Sequence, residues 1–344
     1  MIGNKKVIAI IPARSGSKSV KDKNIRCMNN VPMLAYSIKH ALEAKYVDRV
    51  IVSTDSQEYA DIARKYGAEI PFLRPAEISG DKSLDIEVFE HALKWLDENE
   101  GYKADYCVHL RPTHPVRNPE DIDKMLEKLD STGASSVRSL SPAKQTPYKM
   151  WLFEDDNKIA PVASCDVEEA YNAPRQSLPK AYLQNACIDV VRSDVILNEH
   201  SMTGKNIHGY VMDYDFDIDT EEEFLTAERY IMLTETMKTG KQLTVVCDID
   251  GVIAGKTEGN DYSTAFPITP NIEIINGLHR MGHKIVLFTA RGYVTGIDWK
   301  ETTERQMREW NVEYDELKFG KPNADIYIDD RFYDLDDLKA LINK

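Results

Sequence analysis

Two sets of residues in this 344-residue chain have the types and spacing for phosphate chemistry. The first begins with the stretch 10–24, IIPARSGSKSVKDKN, where Arg14, Lys18, Lys21 and Lys23 surround Gly16 and the small hydroxyl of Ser17. Glycine permits close backbone approach, and exposed N–H groups can cradle phosphate oxygens. The cations suit charge that develops on a departing phosphate group. A solvated basic loop has the same composition, and the Walker spacing G-x-x-x-x-G-K-[ST] is absent. Further along, Asp213, Asp215, Asp217 and Asp219 alternate. In an extended chain they share one face, an unfavourable packing of like charges unless water or a cation relieves it. Thr220-x-x-Glu223 is a capping-box pattern that starts the next helix. It places the aspartates at a strand-to-helix junction, although an exposed acidic edge would carry the same residues.

The second set lies beyond residue 240. Asp248-x-Asp250-Gly251 follows the apolar run LTVVC, Thr289 ends KIVLFT, and FGKPNADIYIDDR supplies Lys321 and Asp329-Asp330. A parallel sheet places its site at the carboxyl ends of its strands, where each of these residues falls. Any one alone reads as a turn or cap residue; the whole set in this order points to a single site.

Short apolar runs alternating with amphipathic ones must position both sets. Strands are expected at 6–13, 48–55, 104–110, 135–140 and 186–192, and helices at 33–44, 58–67, 86–99 and 119–133. Apolar spacing of three and four marks the helices. Nearly continuous apolar strands imply a mostly parallel sheet covered on both faces. The pattern restarts after the polar stretch 238–242. The fold class is therefore α/β with two domains, 1–238 and 242–344, each a mostly parallel sheet flanked by helices.

The formal net charge of −14 argues against nucleic acid or an anionic membrane surface as partner, while leaving room for a local cationic site. No apolar run has the length of a membrane span, and the N-terminus lacks the pattern of a signal peptide. The five cysteines are widely spaced with no CxxC pair, which suggests neither zinc nor a disulfide framework. A reduced, cytoplasmic protein is expected.

Ala13-Arg14-x-Gly16-Ser17-Lys18 followed by Lys23-Asn24 resembles the signature of the N-acylneuraminate cytidylyltransferases, to which the CMP-octulosonate synthetases are related. The resemblance continues through 50–68, 72–83, 110–117, 175–186 and 215–224 and covers about residues 1–235. It implies a Rossmann-like nucleotidyltransferase domain that moves CMP from CTP to an acidic, nonulosonic or sialic-acid-like sugar and releases pyrophosphate. It further implies nucleotide contacts at Arg14, Gly16, Ser17, Lys18, Lys23, Asn24, Arg74 and Ser83, with Arg14 and Lys23 catalytic. Acceptor contacts would fall at Arg111, Thr113, Arg175, Gln176 and Asn185, and Mg²⁺ at Asp217 and Asp219. The chain departs from the family where L-Q-P-T-S-P-L-R becomes Leu110-Arg111-Pro112-Thr113-His114-Pro115-Val116-Arg117, and where R-P-N-G-A becomes Leu183-Gln184-Asn185-Ala186-Cys187. Arg111 either captures an anion on the acceptor or pairs with an acidic neighbour.

The C-terminal set resembles the four motifs of the haloacid dehalogenase superfamily. That resemblance implies a small Rossmannoid phosphatase domain, with Asp248 as nucleophile, Asp250 as general acid and base, and Thr289 and Lys321 on the phosphoryl oxygens. Mg²⁺ would be held by Asp248, Asp250 and Asp329 or Asp330. The gaps from Gly251 to Thr289 and from Thr289 to Lys321 are too short for an inserted cap domain. A capless site needs a neighbouring domain or subunit to shape a pocket, or it accepts bulky substrates; a homo-oligomer is expected. The whole then reads as a bifunctional enzyme acting on CTP, an acidic sugar and a phosphomonoester. The alternative is a cytidylyltransferase for an octulosonate or phosphonate acceptor, with the C-terminal domain mainly an oligomerisation scaffold.

Overall fold

The computed structural model describes residues 1–17, 22–212, 214–259, 261–321 and 339. By its internal contacts the chain divides into two units, Met1–Arg229 and Tyr230–Lys344. The division falls inside the helix α6 (Glu221–Lys238), ahead of the polar stretch where composition shifts.

The first unit is built on a six-stranded sheet. Its strands are β1 (Val7–Pro12), β2 (Arg49–Ser53), β3 (Tyr106–Leu110), β4 (Ser136–Pro142), β7 (Tyr182–Arg192) and β8 (Ile207–Val211), in spatial order β8-β4-β7-β3-β1-β2. β1 pairs in parallel with β2 and β3, and β8 in parallel with β4. β7 runs antiparallel to both β3 and β4. The sheet is mostly parallel, as expected; that β7 is the antiparallel member was not foreseen, because the direction of a buried strand leaves no mark in its hydrophobic pattern. Val7 to Ile11 are all fully buried because both faces are covered. Val7, Ala9 and Ile11 pack with α1 (Met33–Glu43) and α4 (Pro119–Thr132), whereas Ile8 and Ile10 pack with α3 (Asp85–Glu100) and α5 (Ser193–Glu199).

Local chemistry sets the helix ends. The Asn118 side chain accepts from the Glu120 N–H and Pro119 opens α4, while Gly133 at φ 64° closes it in the left-handed region. The capping box expected before α6 is formed: Thr220 N donates to Glu223 Oε2 at 2.8 Å, and Glu223 N donates to Thr220 Oγ1 at 3.2 Å. Between β4 and β7 an exposed hairpin, β5 (Trp151–Phe153) with β6 (Ile159–Pro161), stands apart from the main sheet.

In the second unit β9 (Thr244–Cys247), β10 (Lys284–Thr289) and β11 (Glu316–Phe319) form a parallel sheet in that order. α7 (Thr269–Arg280) and α8 (Lys300–Glu309) accompany it. Ile249, Ile253, Ile275, Leu287 and Met307 centre its core. The strand expected at ADIYIDD, with Asp329 and Asp330, and the final helix lie outside the described residues, as do Lys18, Lys21 and Asp213. Among the described residues no helix is long and apolar enough to cross a membrane.

Candidate active sites

At the carboxyl end of β1 the basic loop and the acidic run meet. Lys23 is buried, and its Nζ donates to the Ile218 carbonyl at 2.6 Å and to Asp219 Oδ1 at 3.1 Å. Asn24 Nδ2 donates to the Arg14 carbonyl at 3.0 Å, which folds the loop back on its own start. Arg14 Nη1 reaches Asp81 at 2.7 Å. Gly16 has φ 74°, and an added Cβ would meet nothing within 4 Å, so the position favours glycine for its conformation rather than for crowding. Ser17 is half-buried beside it.

Residues 214–219 are extended without a ladder partner, and Asp215, Asp217 and Asp219 face outward while Ile218 is buried. The Ile218 N–H donates to the Thr113 carbonyl at 3.0 Å, which fastens this run to the loop after β3. His114, wholly buried, lies between Asp215 at 3.7 Å and Asp217 at 3.5 Å, with Thr113 Oγ1 at 3.3 Å from its Nδ1. Its sequence context gave it no role; the signal was a histidine where the resembling family has serine.

Arg74 is fixed at the end of β2. Its Nε donates to Ser53 Oγ at 3.1 Å and its Nη2 to the Ser53 carbonyl. Burial lowers its guanidinium to about 10, against the pull of Asp55. Asp55 in turn accepts from Ser15 N and Oγ, both at 2.8 Å. Burial pushes that carboxyl up, but these bonds outweigh it and hold Asp55 below its ordinary value. Ser83 closes a local turn through Gly80 N at 3.0 Å.

The acceptor candidates are not all free. Arg111 Nη1 donates to the Ala186 carbonyl at 3.0 Å and to Asp189 Oδ2 at 3.1 Å, and its Nη2 donates to Asp85 Oδ2 at 3.0 Å. Arg111 is thus paired with two acidic neighbours. Asn185 is buried in a network with Ser139 Oγ at 2.6 Å and Ser141 Oγ at 2.9 Å, so its amide holds β4 to β7. Arg175 and Gln176 sit on an exposed 3₁₀ turn, with Arg175 Nη2 on the Ala143 carbonyl at 3.0 Å.

Mg²⁺ is the cation that the acidic run implies. Asp217 and Asp219 are 46% and 72% exposed, so their oxygens are reachable. Among the described residues no group of three His, Cys, Asp or Glu side chains is arranged to hold a metal ion by itself. That fits an ion usually held by one or two carboxylates plus substrate phosphates and water, rather than by an all-protein cage.

In the second unit the strand ends converge. Lys321 Nζ meets Asp248 Oδ2 at 2.5 Å, and the Ile249 N–H donates to Asp248 Oδ1 at 2.8 Å. Thr289 is fully buried, with its Oγ1 3.4 Å from Asp250 Oδ2. Asp250 is also gripped by Arg291, which sequence reasoning passed over; the available signal was a cation two residues past a buried strand end. Asp248, Asp250, Thr289 and Lys321 are thus brought together. The hard oxygen donors of Asp248 suit Mg²⁺, whereas both carboxylate oxygens of Asp250, expected as a metal ligand, are taken by Arg291; Asp329 and Asp330 lie outside the described residues. Cysteine offers no competing nucleophile at this point, because burial pushes the Cys247 thiol up to about 12.

Residues 8–247 match a family model described as Cytidylyltransferase. The chain is 35% identical over 224 residues to the post-translational flagellin modification protein B of Campylobacter coli, covering 64% of this chain and 93% of that protein. It is 36% identical over 229 residues to the CMP-N,N'-diacetyllegionaminic acid synthase of Campylobacter jejuni subsp. jejuni serotype O:2, covering 66% of this chain and 95% of that one. Against the N-acylneuraminate cytidylyltransferase of Escherichia coli O18:K1:H7 the identity is 31% over 217 residues, 63% of this chain and 49% of that protein. In fold alone, the chain resembles the solved CMP:2-keto-3-deoxy-manno-octonic acid synthetase complexed with CTP, with a TM-score of 0.50 at 17% identity over 67% of this chain and 99% of that one.

Proposed function

The chain belongs to the cytidylyltransferase family, and from that membership we propose that its first unit transfers CMP from CTP to an acidic nonulosonic sugar. The observation that carries the reading is the joining of the basic loop to the acidic run through Lys23. A site for this reaction needs cations for the triphosphate and carboxylates for its metal on opposite sides of one cleft. Lys23 ties the two segments that supply them.

In the reaction a hydroxyl oxygen of the acceptor bonds to the α-phosphorus, and the bond from that phosphorus to the bridging oxygen breaks, releasing pyrophosphate. The protein's part is positioning and charge stabilisation. In this reading Arg14 and the N–H groups around Gly16 take the phosphates, and Arg74, at the end of β2, contacts the nucleotide. Asp217 and Asp219 are the ligands for Mg²⁺, which when bound supplies neutralising charge on the phosphate oxygens. The test is pyrophosphate release from CTP, UTP and ATP against a panel of nonulosonic, octulosonic and phosphonic acids. Turnover with CTP and a nonulosonic acid is expected; equal turnover with ATP or UTP would overturn the base assignment.

The second unit is read as a Mg²⁺-dependent phosphomonoesterase of the haloacid dehalogenase type. The contact between Lys321 and Asp248 favours it, since a carboxylate nucleophile facing an anionic substrate needs a cation beside it. Phosphate release from an aryl phosphate with Mg²⁺ tests this. Self-association is part of the proposal: the β5–β6 hairpin exposes Leu152 by 60% and Phe153 by 81%, an apolar patch that suits a second copy of the chain. Phe153→Asp should then lower the mass measured by light scattering.

A further inference from the structure

Arg291 is wholly buried, yet no nitrogen of its guanidinium is left without a partner. Nη1 donates to Thr303 Oγ1 at 3.1 Å and to Gln306 Oε1 at 2.7 Å, both carried by α8. Nε donates to Asp250 Oδ2 at 2.9 Å, and Nη2 donates to Asp250 Oδ1 at 2.8 Å. The guanidinium also lies over the Tyr262 ring, 4.9 Å from its centroid. Gln306 is itself fixed, since its Nε2 donates to the Tyr262 carbonyl at 2.7 Å, and Thr303 Oγ1 bonds the Trp299 carbonyl at 2.8 Å.

One edge of a planar fork is therefore anchored to a helix, and the other holds a carboxylate bidentately. A pair of this kind is a poor source of net stability, because desolvating the arginine offsets most of the attraction. What it does supply is orientation. Asp250 is on a chain turn after β9, where a short side chain would otherwise rotate. With both oxygens on the fork, its carboxyl plane is fixed, and its side chain stays 21% exposed toward solvent. Asp248 has no such clamp among the described residues; Lys321 and its own following N–H hold it.

We infer that Arg291 is the positioning residue that aims Asp250 at the leaving-group oxygen, an inference that rests on the phosphatase reading of this unit. In the first half-reaction an Asp248 oxygen bonds to phosphorus, the phosphorus–ester oxygen bond breaks, and the ester oxygen takes the proton of Asp250. In the second, water bonds to phosphorus and gives its proton to Asp250. The bond between Asp248 and phosphorus breaks, and inorganic phosphate leaves. Misaiming Asp250 therefore harms alkyl phosphates, such as sugar phosphates, whose oxygen needs that proton to depart. Hydrolysis of the aspartyl-phosphate is common to all substrates, so the difference is read in kcat/KM, which ends at leaving-group departure; there aryl phosphates, whose phenolate leaves without a proton, are largely spared.

The experiment compares kcat and KM of the full chain with Mg²⁺ on p-nitrophenyl phosphate and on glucose 6-phosphate. The variants are Asp248→Asn, Arg291→Lys, Arg291→Gln and Gln306→Met, each checked by circular dichroism. Arg291→Lys keeps the charge and loses the fork. It should lower kcat/KM on glucose 6-phosphate by about 10²-fold, the lower end of general acid–base contributions, and leave kcat/KM on p-nitrophenyl phosphate within a few-fold. Gln306→Met loosens the anchor and should move the same ratio in the same direction by less. If the Arg291 variants do not fold, Gln306→Met decides. An equal fall in kcat/KM on the two substrates, or no fall on either, overturns the role of Arg291. If Asp248→Asn is as active as the parent, the phosphatase reading itself falls.

Discussion

The ion pair between Lys23 and Asp219, 3.1 Å long, joins a lysine that is 8% exposed to an aspartate that is 72% exposed. One partner is a fixed internal strut and the other a side chain open to solvent. A structural pair would have both ends covered. This one presents its acid outward, beside Asp217 and at the head of the capped helix α6.

Asp217→Asn and Asp219→Asn should therefore cost activity far more than stability. Under the proposed reaction each removes a charge from the carboxylate pair that would hold Mg²⁺. The expected fall in CTP-dependent pyrophosphate release is at least about two orders of magnitude, the scale of losing one electrostatic stabiliser. The melting temperature of Asp217→Asn should stay near that of the parent, because that side chain is substantially exposed; Asp219→Asn also leaves the buried Lys23 without its carboxylate and should lower it further. Two variants with near-parent turnover would make the run a solvated acidic edge.

Arg111 should behave in the opposite way. Asp189, its partner, is 3% exposed, and Arg111→Gln leaves that carboxylate without its closest cation. Breaking a buried pair from one side predicts a loss of roughly 3 kcal/mol in urea unfolding of the first unit. The acceptor profile of the folded variant should be unchanged. A stable Arg111→Gln protein with altered acceptor preference would instead make Arg111 a substrate contact.

The contrast between these residues shows what the sequence could carry. The strand-helix alternation was legible because both faces of the sheet are buried, which writes continuous apolar runs such as residues 7–11. The Thr220–Glu223 box was legible because its partners are three residues apart. Arg111 is bound by residues 26 and 78 positions away, and Arg291 holds a partner 41 positions away. No local pattern encodes such pairings. The antiparallel course of β7 and the outward hairpin at β5–β6 were hidden for a related reason, since strand direction and placement depend on the sheet as a whole.

His109 predicts an acid limb in stability. It is fully buried on β3, neither ring nitrogen has a hydrogen-bond partner, and its ring lies 4.8 Å from that of Phe89. Burial, with Arg111, Arg138 and Arg117 nearby, drives its pKa well below the ordinary value. The folded state then refuses a proton that the unfolded state accepts as pH falls through about 6.5. Stability is full above that value and is lost below it, by up to about 1.4 kcal/mol per pH unit from this one group. His109→Leu should remove that part of the slope between pH 7 and pH 5 in urea titrations. An unchanged slope would assign the acid limb to other groups.

Separability is the strongest demand on a two-site reading. Each site draws its side chains from one unit: Lys23, Asp217 and Asp219 from Met1–Arg229, and Asp248, Asp250, Thr289 and Lys321 from Tyr230–Lys344. Asp248→Asn keeps the shape of the nucleophile but removes the charge that attacks phosphorus, so an aspartyl-phosphate cannot form. Phosphate release should disappear while CMP transfer stays within a few-fold of the parent. A fragment of residues 1–240 is a harsher test, because it keeps all of α6 and discards the second sheet. Activity in that fragment would make the two units independent catalysts. An inactive fragment beside an active point variant would give the second unit a structural role in the first reaction. Loss of both activities in folded Asp248→Asn, checked by circular dichroism, would end the idea of two separate sites.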